Sequence, residues 1–264
     1  MKKLAYIVLF PLMVFILANC APQKPVEPIT RYVPPPEDVL KKISTTSNSE
    51  EAVTAAARIT IKTVKGTYSQ NVVIAAKKPA SLRIETIPLF GTPDLLLSAD
   101  VHRLKVFLPK EGHFYVGPAT RENIFLFSRL FLNVDEAVAI LMGTPPFLQE
   151  NGMILKGSLE KELYRIDIWS GERLIQSLWV DLDQDKVLKT DIFNETGEIY
   201  YRVEFDDYSD FGRITRPRLV KIIIAEPQNI SASIRYSNIR ILSETAETLF
   251  DLPVPPGIMP IIIE

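Results

Sequence analysis

The chain has 264 residues, a formal net charge of −2, and hydrophobic residues at 47% of its positions. A balance this close to neutral argues against nucleic acid as a partner, because phosphate binding needs a basic face. The one cysteine, Cys20, excludes a disulfide framework within the chain. The length after a short N-terminal stretch suits one domain with a substantial core.

The first 20 residues have the pattern of a lipoprotein signal. Two lysines precede an apolar run, Leu4–Leu17, which is too short to span a bilayer comfortably. The run ends in LANC, which resembles the bacterial lipobox, with Asn19 where a small residue is usual. We therefore expect residues 1–19 to be removed and Cys20 to be acylated as a membrane anchor. By the same resemblance, Ala21 favours the outer membrane; an ordinary secretory signal and an uncleaved anchor are the alternatives.

A stiff tether and a single domain are expected after the anchor. Residues 20–36 contain six prolines, and such a segment extends by about 3 Å per residue, which places a domain about 40–50 Å from the lipid. Residues 37–264 are predicted to form that domain. Helical spacing predicts a first helix over Glu37–Ser44, and a second short helix is predicted over Ser49–Ala57.

From Arg58 onward the hydrophobic pattern has the period of two that is typical of half-buried strands. Within the third strand, Leu82, Ile84 and Ile87 are expected to face the core. Many antiparallel strands with segregated helices predict an α+β architecture, in which a curved sheet of about 11–12 strands wraps around helices. The predicted strands are Arg58–Val64, Tyr68–Ala76, Ser81–Ile87, Asp94–Ala99, Leu104–Leu108, Gly112–Val116, Leu163–Trp169, Leu174–Leu182, Val187–Asn194, Ile199–Phe205, Arg218–Ile224 and Ala232–Ile241.

A helical insert at residues 120–148 interrupts the strands. One helix is predicted from the cap at Thr120 to about Phe131, and another over Asp135–Met142. The first is apolar on more than one face, so it either plugs the sheet as a core helix or faces an apolar cavity. The candidate cavity residues are large apolar side chains of the insert and two strand tryptophans: Phe125, Phe127, Leu130, Phe131, Trp169 and Trp179.

The sequence contains no recognisable set of catalytic residues. His102 and His113 are too far apart for an i, i+4 metal pair on a helix. Acidic pairs such as Asp181 and Asp183 lie where strands end, where solvated loop residues are expected. No glycine-rich phosphate loop or G-x-S-x-G motif is present. We therefore interpret the chain as a binding protein without a cofactor or metal ion, not as an enzyme.

Two short motifs resemble the family of the outer-membrane lipoprotein receptor LolB. Leu82–Ala99, LRIETIPLFGTPDLLLSA, is similar to a strand–loop–strand unit of that family whose loop reads Pro-Leu-Gly. Ala139–Pro145, AILMGTP, resembles a helix of the family that ends in Leu-Gly-x-Pro. The closing segment Phe250–Gly257 resembles an ending common in LolA- and LolB-like proteins. The chain departs from the pattern by an inserted Phe90 and by Ile87 in place of an asparagine.

The resemblance implies a curved, unclosed antiparallel β-barrel, covered by helices, with an apolar cavity for lipoprotein acyl chains. In that family a LolA-type periplasmic carrier delivers lipoproteins to a receptor on the periplasmic side of the outer membrane, and an apolar residue on the protruding loop promotes insertion. That position corresponds to Leu89, and the inserted Phe90 makes the tip Leu89, Phe90 or both. Alternatively, the pair folds back onto the sheet.

Two other functions remain compatible with these residues. One is an envelope-assembly lipoprotein that uses the same sheet to dock a protein. The other is a carrier for other amphiphilic lipids.

Overall fold

The computed structural model describes residues 33–47, 52–148, 152–212, 214–225, 229–242 and 247–264. Residues Val33–Glu264 belong to one unit with its own core. The predicted signal segment, the anchor at Cys20 and nearly all of the proline-rich tether lie outside the described residues. No helix in the described ranges is long and apolar enough to cross a membrane.

One sheet of 14 strands makes up most of the fold. Its spatial order is β14-β6-β5-β4-β3-β2-β1-β13-β12-β11-β10-β9-β8-β7, so β14 and β7 form two separate edges. The strands are β1 (Ala52–Thr63), β2 (Gly66–Lys77), β3 (Ser81–Ile87), β4 (Leu96–Ala99), β5 (Arg103–Leu108), β6 (His113–Pro118), β7 (Met153–Glu160), β8 (Leu163–Ser170), β9 (Arg173–Asp181), β10 (Lys186–Phe193), β11 (Ile199–Phe211), β12 (Ile214–Ile224), β13 (Ile230–Leu242) and β14 (Pro260–Ile262). The helices are α1 (Pro36–Ser47), α2 (Arg121–Ser128) and α3 (Val134–Leu141), followed by a 3₁₀ turn at Glu247–Leu249.

The predicted architecture of a curved, unclosed, mostly antiparallel sheet with a few helices is confirmed. All twelve predicted strands are present, but the predicted total of 11–12 is too low because β7 and β14 were not anticipated. β7 contains Gly157 and shows little alternation of burial, and β14 has only three residues. β14 is also the one strand of this sheet that pairs in parallel, beside β6.

The predicted second helix is wrong where the structure describes it, because Ala52–Ala57 form the first half of β1. Residues 49–51 lie outside the described ranges. Alanines favour a helix when the chain is considered locally, but β1 is hydrogen-bonded to β2 on one side and to β13 on the other. Pairing on both sides outweighs the modest helix propensity of these residues.

The two faces of the sheet have different environments, and we call the face covered by α2 and α3 the inner face. In β3, Leu82 and Thr86 are buried on the inner face, and Ile84 lies between them. Because successive side chains of a strand point to opposite faces, Ile87 lies on the other side and is largely exposed. The expectation that Ile87 faces the core is therefore wrong.

The insert is attached to the inner face through a buried carboxylate on α3. Glu136 is 3% exposed, and it accepts hydrogen bonds from the Tyr201 hydroxyl at 3.0 Å and from the backbone N–H of Asn133 at 2.7 Å. The Arg121 guanidinium lies 3.3 Å from both carboxylate oxygens. Burial and the nearby Glu136 carboxylate raise the pKa of Tyr201 well above its usual value, so its hydroxyl stays a donor.

Two further tyrosines of the sheet donate hydrogen bonds to backbone carbonyls of the insert. Tyr236 on β13 reaches the carbonyl of Leu141 at 2.8 Å, and Tyr200 on β11 reaches that of Phe131 at 3.0 Å. The bond to Leu141 satisfies a carbonyl at the C-terminal end of α3, and the bond to Phe131 holds the segment between α2 and α3. The insert is thus held to β11 and β13 by directional bonds as well as by apolar packing.

Replacing Glu136 tests how strongly the insert is attached. We expect Glu136→Ala to lower the free energy of unfolding by about 3 kcal/mol or more, because Arg121 and Tyr201 lose a buried partner. Tyr201→Phe, which removes one hydrogen bond, should cost about 1 kcal/mol. Urea unfolding of both variants measures the difference. Equal, small losses in the two variants would contradict a central role for the carboxylate.

Candidate functional site: an apolar cavity beside an exposed loop

A cavity of about 280 Å³ lies between the inner face of the sheet and the helical insert. That is about twice the volume of an apolar cavity of roughly 150 Å³ that holds benzene. Its wall combines β1–β4, β12 and β13 with α2, α3 and the segment between them. The wall residues are Ile59, Ile61, Tyr68, Gln70, Val72, Leu82, Ile84, Thr86, Asp94, Leu95, Leu97, Ala99, Ile124, Phe127, Ser128, Leu130, Leu132, Val134, Ala137, Ile140, Leu141, Ile222, Ala232 and Ile234.

The cavity exists partly because some wall positions carry very small side chains. Ala99 on β4 and Ala232 on β13 are almost fully buried, and Ala137 on α3 also lines the cavity. Bulkier residues at these positions would fill the space between sheet and insert. With so little polar surface in the wall, the cavity suits hydrocarbon and not a polar ligand.

The exposed part of the wall lies at one end of the cavity. Tyr68 is 57% exposed and Gln70 is also exposed, whereas Leu82 and Ala99, farther along the paired strands, are buried. Asp94 lies beside Gln70 and is partly exposed. The mouth of the cavity is therefore at the end of the strands where Tyr68, Gln70 and Asp94 meet.

Of the six predicted cavity residues, the structure places two in the wall. Phe127 on α2 and Leu130 just after that helix line the cavity. Phe125 packs against the core next to the cavity and contacts Phe131, with ring centroids 5.9 Å apart. The remaining two, Trp169 and Trp179, lie outside the wall.

The tryptophans face away from the cavity because of their position in the alternation of β8 and β9. Trp179 is directly opposite Arg165, on the face opposite to the buried Tyr164 and Ile166. Its indole N–H donates to Glu160 at 3.0 Å, and Lys189 lies 3.4 Å from the ring centroid. The hydrogen bond from Trp179 is the main reason that the pKa of Glu160 is lowered. This cluster is a packed outer surface, not a binding cavity.

Most of the wall comes from strand residues that sequence reasoning did not select. Val72, Leu97 and Ile234 belong to ordinary alternating strands, as do many other positions of the chain. Alternation marks them as buried on one face, but it does not show which buried side chains border an empty space. The one useful feature of the sequence was the high proportion of apolar residues in the insert, which led to Phe127 and Leu130.

The loop between β3 and β4 presents two large apolar side chains to solvent. Leu89 is 87% exposed and Phe90 is 92% exposed, so the pair does not fold back onto the sheet. Pro88 precedes the pair, and Gly91 follows it with a φ of 80°, which a residue with a side chain rarely adopts. The tip is therefore a tight, protruding turn.

The base of this loop is firmly attached even though its tip is exposed. The Thr86 hydroxyl accepts hydrogen bonds from the backbone N–H groups of Asp94 at 2.8 Å and Leu95 at 3.0 Å. The Asp94 carboxylate accepts from Gln70 of β2 at 3.1 Å and forms an ion pair with Lys110. Asp94 therefore connects the loop to the cavity mouth and to the β5–β6 turn.

A second, larger depression of about 490 Å³ lies on the outer face. Its wall is charged and includes Lys78, Arg103, Lys105 and Asp251. Lys105 pairs with Asp251 at 2.8 Å, so part of this charge is neutralised within the wall. Burial and, to a smaller extent, the positive charge of Arg216 lower the pKa of Lys78 to about 8. A groove with this lining does not suit an apolar ligand.

No protein-family model and no curated protein matches this sequence. Solved structures match it by fold. A LolA superfamily protein from Nitrosomonas europaea superposes with a TM-score of 0.59 at 11% identity, covering 82% of this chain and 97% of that protein. An outer membrane lipoprotein-sorting protein domain from Vibrio parahaemolyticus gives 0.55 at 10% identity, covering 81% and 95%. A DUF1329 family protein from Desulfovibrio piger gives 0.56 at 12%, covering 82% and 95%.

These comparisons define the class of fold. The chain has the fold of LolA superfamily proteins, an unclosed curved sheet that partly encloses helices, and the predicted LolA/LolB-like architecture is confirmed. At identities of 10–12% the likeness concerns the fold alone. The closer relation to LolB that the two sequence motifs suggest stays a prediction.

Neighbouring residues of β2 offer a matched test of the cavity. Val72 is buried in the cavity wall, whereas Val73 lies on the outer face and is 42% exposed. We expect Val72→Phe to occupy the cavity and to weaken binding of a fluorescent fatty acid by about tenfold, or about 1.4 kcal/mol. Val73→Phe, with the same added volume, should bind as the unmodified protein does. Fluorescence titration measures both; equal affinities would contradict binding in this cavity.

Proposed function

We propose that this protein is a LolB-like receptor that binds the acyl chains of lipoproteins in the apolar cavity and helps to insert them into the outer membrane. The observation that carries the proposal is an apolar cavity whose mouth adjoins a rigidly based loop with two exposed apolar side chains. One part can shield hydrocarbon from water, and the other can enter a bilayer. The fold of LolA superfamily proteins supports the same assignment.

Such a cavity is needed because acyl chains exposed to water carry a large free-energy cost. A mature lipoprotein carries about three acyl chains, and exposing them costs about 0.8 kcal/mol per methylene, or some tens of kcal/mol in total. A protein that moves such cargo through water must therefore replace the lipid around the chains. Transfer from a carrier needs no ATP when the receiving site binds more tightly, since only the difference in affinity moves the cargo.

The cavity as described holds part of one acyl chain, not three. A cavity of about 280 Å³ must therefore expand for a full lipoprotein anchor. α3 is fixed to the sheet through Glu136 and through the bond from Tyr236 to Leu141. Leu126 on α2, in contrast, is half exposed. We infer that the C-terminal half of α2, between the points held at Arg121 and Phe131, moves outward when cargo enters.

The proposed location is the periplasmic side of the bacterial outer membrane. An acyl anchor at Cys20 and the proline-rich residues 20–36 would hold the domain formed by residues 37–264 away from the lipid. One protein with a similar fold is described as an outer membrane lipoprotein-sorting protein domain, which agrees with this location. The proposed partners are a LolA-type periplasmic carrier and its lipoprotein cargo.

A transfer assay tests the proposed function directly. A soluble form that starts at Ala21 keeps the whole unit Val33–Glu264. It is mixed with a LolA-type carrier loaded with labelled lipoprotein, and the label is followed by pull-down. One-way transfer to this protein is the expected result. No transfer, together with no extractable lipid in the purified protein, would contradict the proposal and favour envelope assembly.

A carrier of other amphiphiles is the second candidate. The observation that favours it is the small cavity, which suits a lipid with fewer chains than a lipoprotein anchor. Bound lipid in the purified protein, without acceptance of lipoprotein from the carrier, would support this function.

The loop is tested by making its tip acidic. We expect the free energy of unfolding of Leu89→Glu/Phe90→Glu to lie within about 0.5 kcal/mol of that of the unmodified protein, because both side chains are exposed. Acyl binding should be retained, while delivery of lipoprotein to vesicles should fall strongly, since a charged tip does not enter the apolar interface. Delivery is measured by co-flotation of cargo with vesicles. A variant that fails to fold, or one that delivers normally, would contradict the role of the loop.

A further inference from the structure

The loop with Leu89 and Phe90 is one of several turns at the same end of the sheet. Thr63 pairs with Gly66, which places the β1–β2 turn at this end, and Leu108 pairs with His113, which places the β5–β6 turn there. β14 runs parallel to β6 with Pro260 opposite Phe114, so Met259 precedes it at the same end. We call this set of turns, residues 64–65, 88–95, 109–112 and Met259, the loop rim.

The loop rim carries four strongly exposed apolar side chains. Val64 is 82% exposed and Met259 is 87% exposed, as are Leu89 at 87% and Phe90 at 92%. Neighbouring strands lie about 4.8 Å apart, so successive turns along the rim are separated by about 10 Å. The apolar side chains therefore project from separate turns and do not form a continuous patch.

The rim carries two lysines and two acids, and a third lysine, Lys62, lies beside it. Lys62 and Lys65 flank the Val64 turn, are exposed, and have no ion-pair partner among the residues that the structure describes. Of the two acidic groups, Asp94 pairs with Lys110, and Glu111 lies on the β5–β6 turn, 3.5 Å from the His113 ring. When Val64 enters the lipid interface, the neighbouring lysines meet the phosphate groups of an anionic lipid surface. Each lysine contributes about 1 kcal/mol to the binding free energy.

The cavity opens at this end of the sheet. Tyr68 and Gln70, which form the exposed part of the cavity wall, follow the β1–β2 turn by a few residues. Asp94, at the base of the rim, accepts a hydrogen bond from Gln70. A surface that contacts the rim therefore lies over the mouth of the cavity.

We propose that the loop rim is a membrane-contact surface with several points of attachment: Val64 and Met259 enter the lipid interface together with Leu89 and Phe90, while Lys62 and Lys65 contact lipid phosphate. A bilayer fits this surface better than a protein groove, because a bilayer accepts separate protruding side chains independently. The cavity mouth then faces the headgroup region, and an acyl chain passes from the cavity into the bilayer without crossing water. The inference rests on the proposed function and extends it by fixing the orientation of the domain.

Fluorescent labels at single positions test this orientation. The soluble form from Ala21 lacks Cys20, so each of Val64→Cys, Phe90→Cys, Met259→Cys and Val101→Cys provides one thiol for an environment-sensitive dye. Val101 is the control, because it is 63% exposed but lies in the β4–β5 turn at the opposite end of the sheet. An N-terminal histidine tag on nickel-chelating lipid holds the protein on vesicles of phosphatidylethanolamine and phosphatidylglycerol with brominated acyl chains.

The expected result is bromine quenching and blue-shifted emission at positions 64, 90 and 259 but not at 101. Quenching at 90 alone would overturn the extended rim and leave the single-loop function standing. Quenching nowhere would contradict both. Equal quenching at 101 would show that the protein has no preferred orientation, which also overturns the inference.

Charge substitutions provide a second measurement on the untagged protein. We expect Val64→Asp/Met259→Asp to weaken vesicle binding in flotation by about tenfold or more, since two apolar side chains that enter the lipid interface are lost. Val101→Asp should leave vesicle binding unchanged, and both variants should bind fatty acid as the unmodified protein does. Lys62→Gln/Lys65→Gln should weaken binding to vesicles that contain phosphatidylglycerol but not to neutral phosphatidylcholine vesicles. Unchanged binding in either double variant would overturn the role given to those residues.

Discussion

The buried carboxylate of Glu136 is the interaction on which the arrangement of sheet and insert most depends. It brings together a tyrosine of β11, an arginine of α2 and the first turn of α3, and without it the buried Tyr201 hydroxyl would lose its partner. Hydrogen bonds have a fixed length, whereas apolar contacts allow sliding. The insert is therefore held at a set distance from the sheet, and small residues such as Ala99 and Ala232 leave that space unfilled.

A cavity maintained in this way differs from a packing defect. Voids in ordinary cores are few and small because apolar side chains collapse into them. Here the tyrosine bonds from Tyr200, Tyr201 and Tyr236 resist collapse on the side of β11 and β13. The C-terminal half of α2 has less of this support, and Leu126 there is half exposed. A binding site that is rigid on one side and movable on the other can admit a long flexible chain and still regain its shape.

Features that depend on interactions between near neighbours in the chain could be predicted from the sequence, and features that depend on distant contacts could not. β3 was predicted at its observed limits because alternation acts locally, whereas the exposed tip at Leu89 and Phe90 was expected only from the family resemblance, with folding back onto the sheet as the alternative. Ala52–Ala57 were misassigned because their strand conformation depends on pairing with β13, far away in the chain. Trp179 was misplaced for another reason: Ile175–Val180 in β9 are all buried, so alternation there does not distinguish the inner from the outer face.

The pairing of β1 with β13 also determines how the protein can fold. These two strands lie side by side at the centre of the sheet, yet most of the chain separates them. Contacts between residues so far apart in the chain form slowly. Until β1 pairs with β13, the inner faces of the strands on either side of this pairing are exposed to water. A newly made chain therefore exposes, for some time, the apolar surface that later lines the cavity. Chaperones would have to protect it during that interval, so the abundance of the folded protein should depend on them more than its final stability suggests.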